Sequence, residues 1–522
     1  MCRPIFVLIF LYIVGNGQTI VTPPTTFPQE IFSRPILKDP DLLHKPSSNI
    51  ILTLQQPLLP IFESLSKTTF ATRENRASTL VEALRSFATI AQAPVLTALN
   101  PFKLDIQPFW ITNQIFIPNA SPMVVETLIN LPIIREIAEE LKIPMLPIFN
   151  ALKGKPPNGP EWHVKKIRAT LVWENGTTGE GVIVAGIDTG VKKTHDTLRS
   201  NYVGAENYGW FDPIEFSQEP NDIQGHGTHT MGTICGKKGI GIAPGAKWMA
   251  CRGCLLDGCL QRALLACAQF FLCPTNWKGS KPDCSKMPHI INNSWGTDGS
   301  SGWFKEIIEA WRSAGIISFF AAGNMGPACE TVAYPGNLEL VITVGSTDKK
   351  DRLSSFSSRG PIVDYSDDKK NENADDDDDD DDEDEESKPN NRSSRSILAD
   401  FLSLFTPKKK KFSSLIKPDI CAPGQNINSA HILANNAYRI LSGTSMAAPI
   451  ATGAGALLLS KNPKLKMKDI TRLLTSTTIQ QLPTSNTGKC PPIPVDQFPN
   501  MMFGHGRIDI WRAYQMMIKE MK

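Results

Sequence analysis

Four short apolar runs recur between residues 181 and 346, and they constrain the fold more than any other feature of the sequence. These runs are GVIVAGID (181–188), HIINNSWG (289–296), GIISFFAAGN (315–324) and LVITVGS (340–346). A strand that is buried on both faces of a parallel sheet is apolar throughout, whereas a half-exposed strand alternates. Helical patterns such as LQRALLACAQFFL (260–272) and WFKEIIEAWRSA (303–314) lie between the runs. The alternation predicts an α/β fold, in which helices cover both faces of a parallel sheet.

The preceding residues, 73–152, predict a separate small α+β unit. Their pattern predicts a helix over 78–92, a single strand over 109–118, and a second helix that opens at Ser121 and Pro122. Residues 18–72 are rich in Pro, Thr and Ser, which predicts an extended or loosely folded segment. The Pro/Gly-rich residues 153–160 are interpreted as a linker to the α/β domain, residues 161–522.

The first 17 residues have the pattern of a secretory signal peptide. Arg3 precedes an apolar core of 11 residues, and Gly15 and Gly17 provide small residues for cleavage. A membrane-spanning helix needs about 20 apolar residues, so this core is too short to span well. A buried N-terminal helix is the alternative. We therefore expect a secreted, extracellular protein that has no membrane association after signal removal.

Charge is distributed unevenly along the chain. The formal net charge is only +2, which argues against a nucleic-acid partner. One unbroken run, 375–386, holds 12 of the 52 acidic residues, so 40 acidic residues remain against 54 basic ones elsewhere. Charge blocks of this kind cannot bury enough apolar surface to fold. Residues 362–415 are therefore predicted to be a disordered surface insertion, with a calcium-buffering or localisation role as the alternative.

The cysteine pattern favours disulfides. Ten cysteines remain once Cys2 leaves with the signal peptide, and six of them lie between Cys251 and Cys284. Such a density in a secreted chain predicts disulfides, although the sequence does not fix their pairing. A zinc site at the C-R-G-C motif is the alternative, but no second C-x-x-C or histidine pair completes four ligands.

Three polar positions have the residue types of nucleophilic catalysis. Asp188 ends a buried strand, His226 stands between two glycines, and Ser445 stands where G-T-S-M-A enters an alanine-rich helix. An aspartate can orient a histidine, which then removes the proton of a serine as the serine attacks a carbonyl carbon. Asn324, at the end of another strand, can donate a hydrogen bond to the resulting oxyanion. Ser445 as a helix cap, and His226 with His229 as metal ligands, are the alternatives.

The motifs IDTGV, GHGTHTMGTICG, INNSWG, AAGNMG and GTSMAAP occur in that order. Together they resemble the subtilisin-like serine proteases (subtilases), closest to the bacillopeptidase F-like secreted enzymes, over about residues 161–514. The resemblance implies that Asp188, His226 and Ser445 form a catalytic triad and that Asn324 is the oxyanion donor. It also implies a substrate-binding edge and the walls of a specificity pocket, formed by Ser294, Trp295, Gly296, Ala321, Ala322 and Gly323.

The resemblance further implies partners and ions. Residues 73–152 resemble the family's propeptide, which would act as an intramolecular inhibitor of a zymogen. The expected substrate is an extended peptide or protein. The chemistry requires no cofactor and we expect no catalytic metal, while calcium is compatible with the family as a structural ion.

Three functions remain open at this point. The first is a secreted serine endopeptidase. The second is a catalytically silent subtilase fold that binds a partner, which requires the acidic insertion to block the cleft because no catalytic residue is missing. The third is an acid-acting relative, which would carry aspartate where this chain has Asn324.

Overall fold

The computed structural model describes residues 35–55, 57–298, 302–364, 411–484 and 488–522. The predicted signal peptide, residues 1–17, lies outside these residues, and so does the acidic run.

Within the described residues, two sheets account for most strands. The strands of the first, N-terminal sheet are β1 (Ile36–Leu37), β2 (Ser48–Leu54), β3 (Gln107–Phe109), β4 (Gln114–Ala120) and β5 (Ile134–Glu139). The central sheet contains β8 (Ile183–Asp188), β9 (Trp210–Phe211), β10 (Lys247–Arg252), β12 (Ile290–Asn293), β13 (Ile317–Ala321), β14 (Ile342–Thr347) and β17 (Ile420–Pro423). Shorter ladders are formed by β6 (Lys142–Pro144), β7 (Phe149–Lys153), β11 (Gly258–Leu260), β15 (Val363–Asp364), β16 (Lys411–Phe412), β18 (Ile427–Ala430) and β19 (Tyr438–Ser442).

The helices lie before, between and after these strands. They are α1 (Leu59–Ser66), α2 (Arg73–Leu99), α3 (Pro122–Ile129), α4 (Trp162–Lys166), α5 (Ala169–Glu174), α6 (His226–Cys235), α7 (Gln261–Leu272), α8 (Lys305–Ser313), α9 (Thr444–Lys461), α10 (Met467–Ser476) and α11 (Ile510–Met521).

The central sheet is parallel throughout its described strands, in the order β17-β14-β13-β12-β8-β10-β9. Its apolar runs are buried because helices cover both faces. Helices α6 and α9 contribute to the core on one face, and α7 and α8 contribute to the core on the other. The predicted α/β class is confirmed, and all carboxyl ends of these parallel strands meet at one edge.

The N-terminal unit, residues 35–141, has a five-stranded sheet in the order β1-β5-β2-β4-β3. Two expectations for this region were wrong. The predicted extended segment, 18–72, contains β2 and α1; β2 pairs with β4 on one side and β5 on the other, and its residues 50–54 are all buried. The predicted single strand over 109–118 is a hairpin, since Trp110 to Asn113 form a turn between β3 and β4. The helix predictions near Leu80 and Pro122 correspond to α2 and α3.

The N-terminal unit packs on α7 and α8, with which it shares one hydrophobic core. The Glu140 carboxylate accepts hydrogen bonds from the main-chain N–H of Arg262, in the first turn of α7, and from the Arg262 guanidinium at 2.7 Å. An acidic side chain at this position complements the positive end of the helix dipole. The side-chain oxygen of Gln269 accepts from the Trp110 N–H at 2.7 Å.

Four disulfides join the cysteines 251–267, 254–259, 273–284 and 329–490. The two cysteines of the C-R-G-C motif are therefore disulfide-bonded, which excludes the zinc alternative there. Cys235 and Cys421 are buried free thiols. Among the residues described, no three His, Cys, Asp or Glu side chains are grouped so that they could hold a metal ion.

The ends of the predicted insertion are ordered, so the range 362–415 was too wide. β15 pairs antiparallel with β16, through Val363 with Phe412 and Asp364 with Lys411. The prediction for 365–410 lies outside the described residues. No helix in the described part of the chain has the length and hydropathy to cross a membrane.

Candidate active site

Asp188 and His226 form a buried hydrogen-bonded pair at the carboxyl edge of the central sheet. Asp188 is the last residue of β8, and His226 is the first residue of α6. Nδ1 of His226 lies 2.8 Å from Oδ1 and 3.0 Å from Oδ2 of Asp188. A carboxylate accepts only, so Nδ1 carries the proton and Nε2 of the neutral ring is free to accept one. Nε2 is buried and has no hydrogen-bond partner.

Close packing at the start of α6 brings the His226 ring against the Asp188 carboxylate. A Cβ at position 227 would collide with the carbonyl oxygen of Gly190 and lie 3.0 Å from Cβ of Asp188. Gly225 adopts φ = 104°, in the left-handed region that favours glycine. The glycines on either side of His226 therefore allow the helix to begin directly against the strand end.

Asp222 is a positioning residue that the sequence reading missed. Its carboxylate accepts from the N–H of Gly225 at 2.8 Å, the N–H of Thr228 at 2.9 Å and the hydroxyl of Thr189 at 2.9 Å. These bonds tie the start of α6 to the end of β8. An aspartate shortly before a helix is a known capping signal, so the segment D-I-Q-G-H carried a usable clue.

Ser445 is the second residue of α9, and Gly443 occupies the N-cap position. The serine is not a helix cap, because its hydroxyl donates to the main-chain carbonyl of Ser294 at 3.2 Å. Ser294 Oγ donates in return to the Ser445 carbonyl at 3.0 Å. These two bonds place Ser445 beside the end of β12.

The orientation of the Asn324 amide is fixed by Thr444. Oδ1 of Asn324 accepts from both the N–H and the hydroxyl of Thr444, each at 2.8 Å. The amide nitrogen is therefore directed away from the helix, and it donates to the main-chain carbonyl oxygen of Pro147 at 2.8 Å. Thr444 was not singled out from the sequence, although it belongs to the GTS motif.

The six residues expected to bind substrate lie at the carboxyl ends of β12 and β13. Ser294, Trp295 and Gly296 come directly after β12, while Ala321 ends β13 and Ala322 and Gly323 follow it. Trp295 as a whole residue is only 1% exposed, and its ring packs edge-on against Phe304 and Phe320. The ring is therefore part of the core. Ala333 lies between the two groups, since a Cβ at Gly296 or Gly323 would approach its methyl group to about 3 Å.

The two histidines of the GHGTH motif have pKa values shifted in opposite directions. Burial by itself lowers the pKa of His226, but the charge and hydrogen bond of Asp188, helped by Asp222, outweigh it and raise the pKa above 6.5. Burial lowers the pKa of His229 to about 3. Nε2 of His229 is hydrogen-bonded to the carbonyls of Ile427 and Arg439, so His229 is a packed partner rather than a metal ligand.

An aspartate–histidine pair, a serine at a helix start and a side-chain amide at one sheet edge are the elements of a serine hydrolase site. The hydroxyl of Ser445 is bonded to the Ser294 carbonyl and not to His226. Residues 179–506 match the family model described as "Subtilase family". The chain belongs to the subtilase family of subtilisin-like serine proteases.

Three relatives illustrate this membership. Bacillopeptidase F of Bacillus subtilis (strain 168) is 30% identical over 481 residues, which cover 85% of this chain and 29% of that protein. Serine protease AprX of the same strain is 30% identical over 347 residues, covering 59% of this chain and 63% of AprX. Subtilisin BL of Lederbergia lenta is 28% identical over 306 residues, covering 58% of this chain and 85% of subtilisin BL.

Proposed function

We propose that this chain is a secreted serine endopeptidase, made as a zymogen, that hydrolyses extended peptide or protein substrates. Asp188, His226 and Ser445 act as the triad, and Asn324 is the oxyanion donor. The observation that carries the proposal is the His226 ring, which Asp188 holds through Nδ1 while Nε2 is buried without a partner. A buried acceptor without a donor is costly unless a reacting group supplies the proton.

Each of these four residues has one role in the proposed reaction. Ser445 Oγ attacks the scissile carbonyl carbon as its proton moves to His226 Nε2, and Asp188 stabilises the resulting imidazolium. The oxyanion receives hydrogen bonds from Asn324 Nδ2 and from the Ser445 N–H at the start of α9. His226 then protonates the leaving amine, and a water molecule hydrolyses the acyl-enzyme ester by the same steps in reverse.

The N-terminal unit is proposed to be the inhibitory propeptide. It shares a hydrophobic core with α7 and α8, and Glu140 bonds it to Arg262 of α7. No cofactor is needed for these steps, and calcium is proposed only as a structural ion. Secretion rests on the N-terminal apolar pattern.

A fluorophosphonate probe tests the catalytic assignment. We expect the secreted, processed protein to be labelled at Ser445 and to hydrolyse casein, and Ser445→Ala to do neither. Ser460→Ala changes a serine near the other end of the same helix, so it is the matched control and should behave as the unaltered chain. Labelling and casein hydrolysis that persist in Ser445→Ala would refute the assignment.

A further inference from the structure

Arg252, the last residue of β10, is a fully buried arginine beside the candidate active site. It lies directly opposite Asp188 in the register of the parallel strands β10 and β8. Its side chain is 0% exposed and lies over the Trp210 ring, 5.7 Å from the ring centroid. A buried cation is costly unless it is paired and hydrogen-bonded, so its partners indicate which part of the chain it holds in place.

The ionic and hydrogen-bonding partners of Arg252 in the described part of the chain belong to one loop, residues 212–222. Nη1 lies 3.1 Å from the carboxylate of Asp212, whose side chain is also 0% exposed, and it donates to the carboxylate of Glu215. Nη2 donates to the side-chain oxygen of Asn221 and, at 3.3 Å, to the Asn221 main-chain carbonyl. The guanidinium therefore links both ends of the 212–222 loop to β10.

The end of the 212–222 loop carries Asp222, whose carboxylate holds the start of α6. Gly190 comes two residues after the end of β8 and forms a bridge with Asp222. A Cβ at position 190 would collide with the carbonyl oxygen of Asn221, so the loop packs directly against the residues that follow β8. Because Arg252 binds both the side chain and the main chain of Asn221, it restrains the backbone immediately before Asp222.

We propose that Arg252 is a positioning residue, which keeps Asp222 and hence the His226 ring in place for catalysis. This inference rests on the proposed function, because it takes His226 as the general base. Catalytic geometry is sensitive to small displacements, and a misplacement of about 1 Å can cost on the order of 10²-fold in rate. Without Arg252, the loop loses the cation that pairs with Asp212 and the donor that fixes Asn221. The Asp222 carboxylate then moves relative to the His226 ring.

The charged groups around His226 give this displacement a characteristic sign. Burial lowers the pKa of the ring, while Asp188 of β8 and Asp222 of the loop raise it, and His229 lies nearly one turn further along α6. Removing the positive charge of Arg252 would by itself favour the protonated ring and raise its pKa. Moving the Asp222 carboxylate away from the ring lowers the pKa instead. A positioning role and a simple charge effect therefore shift the pH profile in opposite directions.

Steady-state kinetics of the processed enzyme test the inference. The kcat is expressed per molecule that a fluorophosphonate labels at Ser445, so that unfolded protein is not counted. In Arg252→Met we expect kcat to fall by about 10-fold or more and the midpoint of the pH profile to move to lower pH. KM should change little, because the described bonds of Arg252 reach none of the residues expected to bind substrate. Asn221→Ala leaves the ion pairs of Arg252 in place and should cause the same changes to a smaller extent, so it decides the test if Arg252→Met does not fold.

Two controls separate positioning from a structural role. Arg507→Met removes another buried arginine, which is ion-paired with Asp351 and donates to the Lys166 carbonyl, so it should leave the midpoint unchanged. Asp222→Asn should lower the midpoint by itself. Adding Arg252→Met to Asp222→Asn should then lower the midpoint little further, because both changes act on one carboxylate.

The outcomes separate this inference from the proposed function. If the unaltered chain is labelled and hydrolyses casein, but Arg252→Met and Asn221→Ala keep the normal midpoint and kcat, Arg252 is not a positioning residue and the proposed function stands. A midpoint that moves to higher pH would show a charge effect and would also overturn the inference. If the unaltered chain is neither labelled nor hydrolyses casein, the proposed function and this inference fail together.

Discussion

The hydroxyl of Ser445 donates a 3.2 Å hydrogen bond to the main-chain carbonyl oxygen of Ser294. The hydroxyl makes no hydrogen bond to His226, whose Nε2 has no partner. Attack by the proposed mechanism requires the hydroxyl to exchange the Ser294 carbonyl for Nε2 of His226 as its acceptor. A donor that satisfied the Ser294 carbonyl would release the hydroxyl for His226.

Asn324→Ala should reduce turnover of a peptide substrate with little change in KM. The amide is expected to bind the oxyanion more strongly than the ground-state carbonyl, so its loss acts on kcat. The expected decrease is about 10²–10³-fold, the loss measured for one such donor in subtilisin itself. Steady-state kinetics on the processed enzyme provide the test. Met325→Ala changes the next, 47% exposed side chain and should have nearly normal kcat; an Asn324→Ala variant with normal kcat would remove Asn324 from the mechanism.

Activity should rise with pH as His226 loses its proton, since only the neutral ring can accept the proton of Ser445. Asp188 helps to raise the pKa of His226 above 6.5, so the midpoint of kcat/KM should lie above that value. In Asp188→Asn, burial remains but the carboxylate charge is lost, so the midpoint should move to lower pH. Its kcat should also fall by about 10⁴-fold, the order measured for the triad acid of subtilisin. A pH–rate profile with an unmoved midpoint would contradict this role of Asp188.

The sequence was sufficient for four of the seven described strands of the central sheet and for the positions of the polar residues at their ends. Continuous apolar runs identified β8, β12, β13 and β14, because a strand that is buried on both faces of a sheet is apolar along most of its length. Since the carboxyl ends of parallel strands share one edge, the convergence of Asp188 and Asn324 followed from the same pattern.

The N-terminal unit was harder to predict, because the composition around one of its strands concealed that strand. β2 is apolar, yet it lies among Pro, Thr and Ser residues that suggested an extended segment. Its pairing with β4 and β5 joins residues far apart in sequence. The contact of Pro147 with Asn324 was equally invisible, since neither local composition nor periodicity encodes it.

Glu140→Ala should weaken the docking of the N-terminal unit after cleavage. The carboxylate, 6% exposed at its side chain, bonds both the guanidinium and the N–H of Arg262 at the start of α7. Truncating one member of such a buried charged pair costs about 2–5 kcal/mol of binding. Fluorophosphonate labelling should therefore appear sooner after cleavage in Glu140→Ala. Glu139→Ala is the matched control, because Glu139 pairs with Lys45 inside the same unit. Equal delays in both variants would show that Glu140 does not hold the unit in place.

The disulfide between Cys329 and Cys490 should stabilise the folded chain more than the one between Cys254 and Cys259. The first pair is separated by 161 residues and the second by 5. A longer closed loop removes more entropy from the unfolded chain, by about 5 kcal/mol for the first and about 2 kcal/mol for the second in the chain-entropy account. Each pair is replaced by alanines in the Ser445→Ala background, which prevents self-digestion, and the free energy of unfolding is measured with denaturant. Losing Cys329–Cys490 should lower that free energy by about 3 kcal/mol more than losing Cys254–Cys259. Equal losses would mean that contacts local to each bridge, rather than loop closure, determine its contribution.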